Sequence, residues 1–540
     1  MCGGPTNRKG NFGGDALGGV ASSVSCVTTP VDTPADTPSD SLGDTPAAHS
    51  RRPGLVFAGG IFALCTAWFA VLPAFSGPDE PSNFIKAAAL IRGEFVGTPI
   101  PADPTHVMWS SYVDIDERFG TAQQAPYCFI GKASEPASCA EPMERLPIVE
   151  PTRTQMGRYP PFGFLPASLG TLVGPSEAGA FAARVTSAVG CCALFALAAW
   201  LLARNARSLA PLLVAATPGV VFLFSVDSPS GVEIAAALTA WTALWCAVAD
   251  SWQRSDNAIV FVVAASVLVL ARPAGMLNIA LMFAAAAIAD HRAVLAALRC
   301  HARSLAVLGG AVATSLAWYL TVYDANFGVR FELDYRVTEF DVILRRTIID
   351  LPRHFGDSVG NFGWLDTPSP TLVVWAFVAL TAAFAWRGLD GAGARRQLAV
   401  ALAIVSVPVW AVALNANYQD LMGTFGVQGR HLTPFIVGVP LAAVMRRAPR
   451  ASDGAVATVV VLAHLWCVLV AMRRYVRGTS DDSWFNFLHF PIWTPPLGIV
   501  GTLVVVAFAH AAAWFAFVHG TSRFADGVGA WADDVGRMER

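Results

Sequence analysis

Asp79 and Glu80 stand side by side in Gly77-Pro78-Asp79-Glu80-Pro81, directly after an apolar run from Leu55 to Phe75. Charge at the mouth of a membrane helix is costly and needs a reason. The pair is either a solvated helix cap or an acid/base centre at the membrane surface. Other polar residues recur at the ends of apolar runs. They are Arg158 and Tyr159 before a Pro-Pro pair, Asp227 and Glu233 around Ser228-Pro229-Ser230-Gly231, and Arg272 before Pro273, followed by Trp364-Leu365-Asp366 and Gln428-Gly429-Arg430-His431. Taken singly, each reads as a cap, a snorkelling side chain or a turn. Together they suit one chemistry. A carboxylate deprotonates a hydroxyl acceptor, while arginines hold a phosphate leaving group and neutralise charge that grows in the transition state. A lipid-linked sugar phosphate presents such a group at the bilayer surface.

The elements that must position these residues are membrane helices. Of 540 residues, 54% are hydrophobic and only 14% charged, where a soluble chain carries roughly a quarter charged. The apolar residues come in runs of the length that crosses a bilayer as helix, about 20 residues. They do not alternate as β-barrel strands do. The reading is an all-α, polytopic transmembrane bundle of about twelve spans between 54–76 and 494–518, flanked by tails at 1–53 and 519–540. Residues 1–53, rich in Gly, Ser, Thr, Pro and Asp, are expected to be disordered. No basic stripe or motif points to nucleic acid.

Arg-rich connections, among them Arg204/Arg207, Arg292/Arg299/Arg303 and Arg446/Arg447/Arg450, alternate with long loops. By the positive-inside rule they are cytoplasmic, which puts both termini inside and exports the loops 77–178 and 324–369. Residues 77–160 carry eleven Asp/Glu against seven Lys/Arg, in keeping with export. Arg473, Arg474 and Arg477 oppose the rule, which suggests a local role. The segment 160–173 is apolar but short and proline-led, a re-entrant or interfacial helix. Cys128 and Cys139, eleven positions apart in the first exported loop, favour a disulfide in an oxidising compartment. Asp114-Ile115-Asp116 reads as a solvated loop feature. The polar residues that look out of place gather on the exported face, whereas caps and snorkelling side chains would serve both faces.

Gly77-Pro78-Asp79-Glu80-Pro81 with Phe84 and Ala87, Tyr159-Pro160-Pro161, Gly363-Trp364-Leu365-Asp366-Thr367 and Gln428-Gly429-Arg430 resemble a family of bacterial multi-pass membrane proteins. That family, common in actinobacteria, is catalogued as a domain of unknown function. The resemblance covers about residues 55–515. His431 stands where the family more often has Tyr, and Asn83 where it often has His. More distantly, the order of parts is similar to the C-type glycosyltransferases, which use polyprenyl-phosphate sugars. There a first helix leads into a large extracytoplasmic loop that opens on an acid, followed by a Pro-Pro-aromatic segment and an arginine-bearing helix, here Pro160-Pro161-Phe162 and Arg184. By that likeness Asp79 is the general base and Glu80 its neighbour or a metal ligand, while arginines bind the lipid phosphate.

The expectation is therefore a multi-pass protein of the cytoplasmic membrane. It would transfer a sugar from a lipid-linked donor to a cell-envelope glycan, lipid or protein on the outer face. Asp79 and Glu80 are the candidate catalytic residues. Arg158, Tyr159, Glu233, Arg272, Trp364, Asp366, Gln428 and Arg430 are the candidate substrate-binding ones. No cofactor is specified, and a divalent metal is left open. The rival readings are a transporter or flippase of a lipid-linked precursor, and a non-catalytic membrane scaffold.

Overall fold

The computed structural model describes residues 52–100, 110–324, 336–446, 452–480 and 483–538, with only the backbone described beyond 520. The expected tail 1–53 lies outside these residues, except that Arg52 and Pro53 already belong to the first helix. In chain order the main helices are α1 (Arg52–Val71), α2 (Glu80–Ile91), α3 (Glu177–Arg204), α4 (Ala210–Ala215) and α5 (Pro218–Phe224). They continue with α6 (Pro229–Ala249), α7 (Ser255–Ala271), α8 (Ala274–Cys300), α9 (Ala302–Trp318) and α10 (Phe340–Gly360). The last are α11 (Thr371–Leu389), α12 (Ala394–Met422), α13 (Gly429–Ile436), α14 (Asp453–Arg477) and α15 (Gly498–Met538). Among the described residues, nine helices are long and apolar enough to cross a membrane. The other expected spans, 208–224, 257–271 and 432–445, fall on shorter or broken helices. The chain is an all-α polytopic membrane protein. Its last helix runs from Gly498 to Met538, past the apolar span that ends at Gly520.

Strand is confined to the loops. β1 (Thr98–Ile100), β2 (Ser110–Tyr112) and β3 (Arg153–Thr154) form an antiparallel sheet with Ser111 opposite Thr154, and β4 (Asn361–Phe362) pairs with β5 (Thr367–Pro368). The segment from Pro161 to Val173 is a chain of short helical turns. Its Leu169 and Leu172 project outward, which suits an interfacial piece. Cys128 and Cys139 are joined in a disulfide.

α6 is the hub, buried along nearly its whole length. It packs on α3 and α7. Apolar burial gives little drive between helices inside lipid, so close packing and interhelical hydrogen bonds must hold them together. Two α6 indoles do this. Trp241 Nε1 donates to the Pro434 carbonyl at 3.1 Å and Trp245 Nε1 to the Gly438 carbonyl at 3.0 Å, where α13 ends and a short turn begins. A Cβ at Gly438 would stand 2.5 Å from the Trp241 ring, so the approach requires glycine. α1 packs against α3, α14 and α15, and α8 against α12.

The two ends of the bundle differ. The short connections at one end are tied by Arg207 to Asp250 at 2.7 Å, Arg387 to Asp453 at 3.7 Å and Ser208 to Asp453 at 2.6 Å. The other end carries the long loops, α2 and α10, and it holds the residues singled out above.

Candidate functional site

Local sequence places each of these side chains. Arg272 precedes Pro273, and a residue before proline is pushed out of the helical region. Its extended backbone (φ −153°, ψ 150°) ends α7, and its guanidinium reaches the opening of α6 at Ser230 and Glu233. Ser228 caps α6, and Pro229 follows at the first helical position, a favoured pairing. That cap sets Glu233 in the opening turns of α6. At the start of α13, the ring of His431 accepts the Gln428 backbone N–H at 3.3 Å and fixes the turn that presents Arg430. Asp79 stands just ahead of α2 in the left-handed region, at φ 60°, a conformation that costs a non-glycine residue about 1–2 kcal/mol.

The two neighbouring carboxylates have separate fates. Glu80 is buried and forms a two-pronged pair with Arg184, Oε1 to Nε at 2.6 Å and Oε2 to Nη2 at 2.7 Å. Its oxygens also accept the backbone N–H groups of Gly77 at 2.8 Å and Asp227 at 3.1 Å. The same guanidinium donates to the Pro73 carbonyl at 2.8 Å. Neither Glu80 nor Arg184 lines either of the two cavities described below. The lone pairs of Glu80, expected as a catalytic neighbour or metal ligand, are met by the chain's own donors. Among the described residues, no group of three or more His, Cys, Asp and Glu side chains gathers where a metal could sit. Asp79 has a different setting. Its Oδ2 meets Arg430 Nη2 at 2.6 Å, and its side chain keeps 31% of its surface exposed.

Trp364 and Asp366 are likewise held in structure. Trp364 Nε1 donates to the Phe75 carbonyl at 3.0 Å. Asp366 pairs with buried Arg474 at 2.7 Å, and that guanidinium also donates to the carbonyls of Phe129 and Lys132, both at 3.0 Å. Arg474 thus pins the disulfide-closed loop to α14, which supplies the local role expected of this arginine. In the Asp114-Ile115-Asp116 stretch, Asp116 accepts from Arg118 at the surface.

Arg158, Tyr159, Glu233 and Arg272 do converge, on a cavity of about 550 Å³ between α6, α8, α9 and α12. The Tyr159 ring lies between two guanidiniums, with Arg158 5.3 Å and Arg272 5.2 Å from its centroid. Arg158 also sits 4.7 Å from the Tyr323 ring. Arg272 donates to Ser230 Oγ at 3.0 Å and faces Glu233 at 3.7 Å. Burial alone would raise the Tyr159 phenol, but Arg158 and Arg272 outweigh it and bring the phenol below its ordinary value. Both arginines are held above theirs, against burial, by the anions and phenols around them. Two guanidiniums against one carboxylate make the lining cationic.

Sequence reasoning passed over much of this wall. Tyr319, Tyr323, Tyr418, Trp410 and His431 line it too, so four of the chain's eight tyrosines meet here. Tyr319 and Tyr323 share one face of a π turn that ends α9, an element often found at functional sites. Their i, i+4 spacing at the end of an apolar run was the available signal. The rest of the wall is apolar and includes Leu277 and Leu316, which are also exposed on the outside of the bundle.

Arg430 and Gln428 line a second, smaller cavity of about 180 Å³ between α5, α10 and α13. Pro78 also borders it, and His431, next in sequence to Arg430, borders the larger one. The Asp79–Arg430 pair therefore stands at the partition. Asp79's charge acts on Tyr159 and Arg272 across it.

The fold and the site define a multi-pass helical membrane protein with a cationic, aromatic cavity at its loop-bearing end. The family model described as "Predicted membrane protein (DUF2142)" matches residues 62–439, and the chain belongs to that family. No curated protein and no solved structure matches the chain.

Proposed function

We propose that this protein is an integral-membrane glycosyltransferase that takes a sugar from a polyprenyl-phosphate carrier and passes it to a cell-envelope acceptor. The observation that carries the reading is the 550 Å³ cavity. It joins two arginines, an aromatic wall and an apolar flank in one space. Arginines suit a phosphate diester, aromatic faces suit a sugar ring, and Leu277 and Leu316 suit an isoprenoid tail arriving from lipid.

In the reaction, the acceptor hydroxyl gives its proton to the Asp79 carboxylate. Its oxygen forms a bond to the anomeric carbon, and the bond from that carbon to the phosphate oxygen breaks. The electron pair leaves on the polyprenyl phosphate, where Arg158 and Arg272 balance the new charge. Arg430 orients Asp79. Glu80 and Arg184 position the helix start that holds it. The arginine distribution supports an extracytoplasmic site in the cytoplasmic membrane with both termini inside.

The test uses the full chain in lipid nanodiscs with radiolabelled polyprenyl-phosphate hexoses and pentoses and a cell-envelope extract as acceptor. Asp79→Asn is expected to insert, fold and bind donor while transfer falls at least a thousandfold. Normal transfer by that variant removes Asp79 as base. Labelled lipid that equilibrates across the bilayer without glycan product overturns the transferase reading in favour of a flippase.

A further inference from the structure

The smaller cavity differs from the larger one in charge and in chemistry. Arg430 is matched by Asp79, and Arg353 and Asp357, one turn apart on α10, both line the space. The space is thus close to neutral, whereas its neighbour is cationic. Its polar wall mixes donors and acceptors. Asn361 Nδ2 donates to Asp357 Oδ1 at 3.1 Å, while Asn361 Oδ1 and Arg430 Nε are buried atoms with no hydrogen-bond partner. Such atoms are costly unless a ligand or water meets them. Phe222 and Leu223 give the opposite wall an apolar face. At about 180 Å³ the space is smaller than sites for drug-sized ligands, which start near 300 Å³.

We infer that this cavity is a binding site for a neutral, polyhydroxylated ring, the terminal sugar of the acceptor, recognised by Asn361, Asp357 and Gln428 and packed on Phe222. This rests on the transferase reading above and adds the second substrate to it. Mixed amide, carboxylate and guanidinium groups match hydroxyls that both donate and accept, and a ring's C–H face fits the aromatic wall. The partition then explains the strained Asp79. From the wall between the two cavities, its carboxylate takes the proton of an acceptor hydroxyl on one side while the anomeric carbon lies on the other. The hydroxyl oxygen reaches past Asp79 to the anomeric carbon and bonds to it there, while the bond from that carbon to the phosphate oxygen breaks and the phosphate leaves with the electron pair on the cationic side.

The experiment measures two probes on the full chain in nanodiscs: a panel of neutral methyl hexopyranosides and pentofuranosides by saturation-transfer NMR, and undecaprenyl phosphate by direct binding. Asn361→Leu removes the unpaired amide, and Leu223→Phe fills the cavity from α5, so failure of one variant to fold leaves the other. Both are expected to weaken binding of at least one glycoside tenfold or more and to leave undecaprenyl phosphate unchanged. Arg272→Ala is expected to do the reverse. If no glycoside binds, or if binding ignores both variants, the polyol site is overturned while phosphate-lipid binding still supports the donor site. Glycoside binding that follows Asn361 with no undecaprenyl phosphate binding supports the polyol site and overturns the lipid-phosphate donor.

Discussion

Two sets of buried arginines lie at the same end of this bundle and behave as opposites. Arg184 and Arg474 each meet a buried carboxylate, Glu80 and Asp366, and also donate to backbone carbonyls. Arg158 and Arg272 instead lie against aromatic rings around a cavity, with Glu233 as the one carboxylate in its lining. The first set is charge-matched and closed, so it stabilises loops. The second borders an open cavity whose described lining holds two guanidiniums and one carboxylate, so it suits an anion. Burial alone separates nothing here. What separates structure from site is whether the charge borders a cavity that a ligand could enter.

The largest expected effect tests the closed set. Glu80→Gln leaves Arg184 buried without its counter-charge, and breaking a buried pair from one side costs about 3–5 kcal/mol. Glu80→Gln and Arg184→Ala should both lower the melting temperature sharply in detergent. A Glu80→Gln/Arg184→Met double variant should recover part of the loss, since no charge is then stranded. Melting unchanged in Glu80→Gln would put Glu80 back among the reactive groups.

The open set should respond in the opposite way. Arg272→Ala removes a guanidinium that borders a cavity and faces its carboxylate, Glu233, only at 3.7 Å, so melting should move less than in Glu80→Gln. Affinity for undecaprenyl phosphate should fall on the order of 10–100-fold, the worth of one charge-assisted hydrogen bond. If Arg272→Ala unfolds as readily as Glu80→Gln, the distinction between the sets collapses.

The split between Asp79 and Glu80 shows where sequence reading stops. That charge clustered at these span ends was legible, because charge at the edge of an apolar run is costly wherever it falls. Arg272 was legible for the same reason, aided by Pro273. Which carboxylate would be consumed was not, since Glu80 meets Arg184 from 104 positions away and only the folded chain brings the start of α2 beside α3. Trp364 and Asp366 misled for a related reason. Gly363 and Leu365 both take positive φ, and that turn sends the indole and the carboxylate to Phe75 and Arg474 rather than to a cavity. The tyrosines were missed because a tyrosine at a span end usually signals no more than the membrane interface.

A smaller effect isolates the strain at Asp79. Asp79→Ala and Asp79→Gly both lose the contact with Arg430, but only glycine takes φ 60° freely. The glycine variant should be more stable than the alanine variant by about 1–2 kcal/mol, and both should be inactive in transfer. Equal melting temperatures would mean the left-handed conformation relaxes on substitution, and the partition would then be softer than the Asp79–Arg430 contact implies.

A last test concerns a third kind of cation, one that links the two sets. Lys86 is buried on α2, and its Nζ donates to the carbonyls of Phe95 and, at 3.2 Å, Gly157, next to Arg158. Burial lowers its pKa from 10.5 to about 7, against a weaker opposing pull from Glu94. The unfolded chain keeps this proton until pH approaches 10.5, while the folded chain releases it near 7. Between those values the unfolded state binds more protons, so the lysine's contribution to stability rises with pH. Below 7 the full cost of burying the charge is present. The melting temperature of the wild type relative to Lys86→Met should therefore climb from pH 6 to pH 9, since the neutral amine still donates to both carbonyls and methionine cannot. Parallel pH profiles in the two proteins would show that Lys86 stays charged in the fold. In that case the tether on Gly157 would be a charged one, and the loop that carries Arg158 and Tyr159 would depend on Glu94 more than on burial.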